Sequence, residues 1–139
     1  MRYIILLLVS LNCFAVSEQQ AKHILNNIIR ANHLSPISLY VADDDSINAA
    51  FNGFSITITR GALRQNTNAV AFILGHELGH RALHHIRSNY KNEYEADYQG
   101  KIFANTARYN MCDGVKVLLL LRGGGDHPMP YDRYNRLKC

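Results

Sequence analysis

Residues His76-Glu77-Leu78-Gly79-His80 form the pattern HExxH. On a helix, positions four apart lie one above the other, so both imidazoles can reach a single metal ion while Glu77 stands beside it. Two nitrogen donors from one turn suit a catalytic zinc, which takes three protein ligands and keeps a fourth position open. The chemistry this predicts is hydrolysis. Zinc brings the pKa of a water to about 7, and Glu77 is placed to take its proton and pass it to a leaving amine.

Spacing selects the third ligand. A third histidine in the pattern HExxHxxGxxH would require glycine at 83 and histidine at 86, where the chain has Leu83 and Ile86. A cysteine upstream of the helix, as in deformylases, is not offered either: Cys13 lies in the N-terminal segment and Cys112 lies downstream. A glutamate on a following helix fits, with residues 81 to 92 between His80 and Glu93. Glu93 and Asp97 are four apart and share a helix face, with Glu95 rotated away from it. Glu93 then completes the set His76, His80 and Glu93 around one Zn2+ per chain, and Asp97 accepts the far N–H of a ligating histidine.

HELGH followed by E-x-E-A-D-x-x-G (Glu93 to Gly100) resembles the gluzincin zinc peptidases of the HtpX, BepA and CAAX prenyl protease family. Asn48-Ala49 and the run Gly53 to Leu63 are similar to that family's approach to its active-site helix, and His127-Pro128 with Arg133 resembles its H-P-x-x-x-x-R element. The resemblance implies Glu93 as third ligand and Asp97 as its companion. It also implies His127 and Arg133 over the cleft, as oxyanion donors or, for His127, as a gate on the open metal position. Because so few residues separate HExxH from Glu93, the chain looks like the short miniature gluzincins. By the same resemblance Asn48 to Phe51 is a sheet edge beside the cleft, where an extended protein or peptide substrate would add by main-chain hydrogen bonds.

Ala21, Ile24, Leu25, Ile28 and Ile29 fall at helical spacing within residues 18 to 33. Ile37 to Ala42 alternates as a strand, and Phe54 to Thr59 reads as a half-exposed strand that turns Phe54, Ile56 and Ile58 one way. Between them, Asp43-Asp44-Asp45 lacks the glycine and glutamate of a calcium loop and reads as a solvated turn. Asn68 caps an active-site helix that continues to about His85, with one core face and one site face. His84 and His85 are helix-end residues in this reading, although His85 falls where the resembled family often carries a histidine. Ser88 or Asn89 opens a second helix to about Tyr109, in which Gly100, costly for a helix, allows close approach near the metal alongside Ala96 and Ala104. Asp113 caps a last helix through Leu121, ended by Gly123 to Gly125.

At the N-terminus, Met1-Arg2, the apolar run Tyr3 to Leu11 and Ala15-Val16-Ser17 read as a secretory signal peptide over residues 1–17, cleaved before Glu18. The apolar run is too short for a membrane span, and Asn12 before Cys13 departs from a lipobox. The net charge of +4 over 139 residues gives no footprint for nucleic acid. Cys112 and Cys139 can pair once in an oxidising compartment. The expected fold is α+β: a single zincin-like domain over residues 18–139, with a small antiparallel-edged sheet on the HExxH helix. The expected function is a secreted or periplasmic zinc endopeptidase. Its rival is a zinc-containing binding or chaperone-like module whose site is closed or self-inhibited.

Overall fold

The computed structural model describes residues 15–139, and most of the predicted leader lies outside them. The fold is α+β, with a three-stranded sheet and several helices. Helix α1 (Glu18–Ala31) starts on a capping box in which the Ser17 hydroxyl accepts from the Gln20 amide and Gln20 answers to the Ser17 N–H. Val16 is buried, and its amide donates to the Leu63 carbonyl. Both residues before Glu18 thus take part in the fold.

Strands β1 (Ser38–Ala42), β2 (Ala49–Phe51) and β3 (Ser55–Thr59) lie in the order β1-β3-β2, with β1 parallel and β2 antiparallel to β3. β2 is therefore an edge. The turn from β2 to β3 is set by Asn52-Gly53: the Asn52 side chain accepts from the amides of Phe54 and Ser55, and Gly53 takes φ 96°. This removes Phe54 from the strand and leaves it 90% exposed, where a strand residue in phase with Ile56 and Ile58 was expected. β3 is the central strand, and Ser55, Ile56, Ile58 and Thr59 are all buried. The Asp43 to Asp45 turn is tied to the short helix α2 (Arg60–Leu63) and the residue after it by exposed Arg60–Asp43 and Arg64–Asp45 pairs.

Helix α3 (Thr67–Ala82) is the centre of the molecule. Its cap is Asn66, which accepts from the Ala69 amide, and not Asn68, whose amide reaches across to Asp113. Residues 69 to 79 are buried all round, because α1, the sheet and α4 (Tyr90–Thr106) enclose the helix. A core face opposite a site face was too simple a division. The helix ends at Ala82, earlier than the sequence suggested, in a Schellman turn: His85 N–H donates to the His80 carbonyl and His84 N–H to that of Arg81. His84 occupies the left-handed position, with φ 55°.

α4 begins at Asn89, the second of the two expected caps. Gly75 and Gly79 of α3 face Gly100 and Ala96 of α4, and the two backbones approach closely enough that a Cβ on Gly100 would lie 2.5 Å from the His76 nitrogen. The chain then departs from expectation. Asn110 caps a four-residue helix α5 (Met111–Gly114) with Asp113 inside it, and Val115–Leu120 continues as a 3-10 helix. Val117 and Leu118 are buried while Leu119 and Leu120 are exposed, so the leucine run is only partly core. Helix α6 (Pro130–Leu137) follows, with proline in its first turn. A Cys112–Cys139 disulfide fastens the end of the chain beside α5. Among the described residues, no helix is long and apolar enough to cross a membrane.

Candidate metal centre

α3 and α4 bring His76, His80 and Glu93 together, one donor atom from each lying within 4.8 Å of the others. His76 Nε2 is 3.5 Å and His80 Nε2 is 3.3 Å from the Glu93 carboxylate, and the two Nε2 atoms are 3.0 Å apart. All three are largely buried, with Glu93 only 3% exposed. The Ser88 hydroxyl donates at 3.0 Å to Glu93 Oε1, the oxygen that faces His80.

The tautomers follow from the partners. Asp97 accepts from His76 Nδ1 at 2.8 Å, and a carboxylate can only accept, so the proton sits on Nδ1 and the Nε2 lone pair faces inward. His80 Nδ1 is similarly occupied, by His85 Nδ1 at 3.0 Å. Two inward lone pairs and a carboxylate oxygen at this spacing repel one another unless a cation lies between them. The donor set fits a divalent metal of the zinc type. Without one, a proton takes that place: burial works against a charged His76, but Asp97 and Glu93 outweigh it and push the imidazole up to about 10. Burial likewise raises Glu93, and the two histidines more than reverse this and hold it well below the carboxylate range.

Arg133 lines the cleft, as the resemblance implied, but its guanidinium is committed to Asp97. It is 6% exposed, and its Nε and Nη2 donate to the two Asp97 oxygens at 2.7 and 2.6 Å. That fork leaves the guanidinium behind His76, with Glu93 a further 3.6 Å from Nη2. Burial pulls against the charges on both partners, yet their mutual bond holds Asp97 low and Arg133 high. Replacing Arg133 with leucine should cost about 3 kcal/mol in urea denaturation, because the buried Asp97 loses its guanidinium fork and keeps only the His76 N–H. Arg133→Lys should retain part of that loss, keeping the charge without the fork.

Glu77 is 6% exposed and faces a cleft of about 740 Å3 that also reaches His76, His80 and the β2 strand. His127 stands at the mouth of the cleft, half exposed, with Nδ1 3.5 Å from Glu93. A bridge between Gly124 and His127 shapes its loop, and Gly124 and Gly125 take positive φ.

The sequence model of peptidase family M48 matches residues 15–91, more than half of the chain. The chain belongs to peptidase family M48. The match includes HExxH and stops before Glu93, so in this M48 chain the third member of the cluster is supplied by the fold. A search among curated proteins gave no match. M48 membership indicates a zinc-dependent metallopeptidase and agrees with the gluzincin resemblance of the sequence.

Sequence reasoning missed two members of this cluster. His85, read as a helix-end residue, is half-buried and packs against His80, and Glu95, read as facing away, accepts from His85 Nε2 at 3.0 Å. The available signal was the histidine five residues past His80. Its significance depends on the Schellman turn.

Proposed function

We propose that this M48 chain is a zinc-dependent endopeptidase with a zincin-like fold, His76, His80 and Glu93 as its metal ligands and Glu77 as its general base. The convergence of two inward imidazole nitrogens and a buried carboxylate next to a free glutamate carries this reading. When bound, zinc would polarise the scissile carbonyl and acidify a water. Glu77 accepts that water's proton and delivers it to the departing amine nitrogen. Asp97 holds His76 in its productive tautomer, and Arg133 holds Asp97, which makes Arg133 a positioning residue.

The substrate is an extended, unfolded polypeptide laid along β2. Residues Asn48 to Phe51 line the cleft, and β2 is the edge of the sheet on that side. Recognition through main-chain hydrogen bonds predicts broad sequence tolerance. The leader-like N-terminus and the Cys112–Cys139 bridge support a secreted or periplasmic setting.

The test is incubation with an unfolded casein-like protein and mass spectrometry of the fragments. Cuts in several sequence contexts, stopped by a chelator and restored by zinc, are expected. An intact substrate with zinc bound would instead favour the closed-site reading, which rests on His127 beside Glu93. In that case His127→Ala should release activity, whereas a sharp loss in an active enzyme marks His127 as an oxyanion donor. Deleting the tail beyond Gly125 is no substitute, since it also removes Arg133 and Cys139.

A further inference from the structure

We propose that His85 and Glu95 are positioning residues for the metal centre, fixing His80 as Asp97 and Arg133 fix His76. The inference rests on the metal-ligand reading of His80.

Glu95 can only accept a hydrogen bond, so the 3.0 Å contact places the His85 proton on Nε2. Neutral His85 then offers a lone pair at Nδ1. His80 Nδ1, 3.0 Å away, must donate to it, and His80 Nε2 is left as a lone pair toward Glu93. Each link fixes the next, and the chain ends on the nitrogen that faces the metal. Helix α4 thus serves both histidines from one stretch: Asp97 acts directly on His76, and Glu95 acts through His85 on His80.

One further observation supports a purpose for this arrangement. The His85 side chain is 7% exposed although it lies in a turn after the helix end.

The test is zinc affinity of the full chain by competition with a chromophoric chelator, joined to the visible spectrum of the cobalt-loaded protein. His85→Phe keeps a buried ring and removes the acceptor. It should weaken zinc about 10–100-fold and shift the cobalt bands. His85→Asn presents an amide oxygen close to the former Nδ1 position and should stay within about threefold of the parent. Glu95→Ala should weaken zinc in the parent but have no further effect in the His85→Asn background, where no Nε2–H remains to be held.

The inference is overturned if His85→Phe binds zinc like the parent, if Asn and Phe variants lose equally, or if the Glu95→Ala effect is additive with His85→Asn. Should His85→Phe fail to fold, the Glu95 cycle decides alone, because Glu95 is partly exposed and replaceable. A parent that holds no zinc overturns the metal-centre reading together with this inference. A parent that holds zinc beside an equally tight His85→Phe overturns this inference only.

Discussion

Glu77→Gln should lower the rate of peptide-bond cleavage by about 10²–10⁴-fold, the usual contribution of a positioned general base. Zinc content and melting temperature should stay at the parent values. The amide has the shape of the carboxylate but cannot accept the proton. Among the described residues Glu77 has no ion-pair partner, so the replacement strands no buried charge. This separates Glu77 from its neighbours: a change at Glu93, packed against both histidines, should disturb metal binding and activity together. Steady-state kinetics beside metal analysis checks the difference. A Glu77→Gln protein that cleaves at the parent rate would remove Glu77 from the mechanism.

The second large effect is expected at Gly100. On an isolated helix, glycine to alanine gains about 1 kcal/mol. Here the new Cβ would lie 2.5 Å from the His76 nitrogen and 2.8 Å from the His76 Cα and the Gly75 carbonyl carbon. All three atoms are backbone of α3, so no side chain can turn aside and the helices must separate. Gly100→Ala should therefore destabilise the fold by about 3 kcal/mol or more, the upper range of overpacking, a large share of the margin of a small domain. Because α3 carries His76 and His80 and α4 carries Glu93 and Asp97, the same separation should loosen zinc. Urea denaturation and zinc retention measure both. An unchanged midpoint would mean that α3 and α4 are not packed at this distance.

How far the sequence reached follows from the range of each signal. HExxH, the Glu93/Asp97 pair, the Asn89 cap and the role of Gly100 were legible because each rests on helical period or on a residue's own backbone chemistry. The β2 edge was legible only through family resemblance, since a three-residue strand has no period of its own. Asn66 and Asn68 are equally good caps by type; the choice fell to Asn66 because Asn68 has a use elsewhere, on Asp113. Asp113 lost its expected place to Asn110, and the unbroken run Leu118 to Leu121 carries no phase from which to read an exposed side.

Arg133 was legible as a site residue, but its bond to Asp97 was not. Its partner Asp97 is 36 positions away, and only the docking of α6 shows that the guanidinium at the cleft also braces a carboxylate. His85 was hidden for a related reason. Helical spacing predicts neighbours within a helix, and His85 meets His80 by leaving it through a left-handed residue.

The proposed function requires one zinc held by His76, His80 and Glu93. The most direct measurement titrates zinc into the metal-free chain while following bound metal and casein cleavage together. Both should rise in parallel and level off at about one equivalent, the stoichiometry of a single three-ligand site. Cleavage that proceeds without metal, or a filled site that cuts nothing even after His127→Ala, would contradict it.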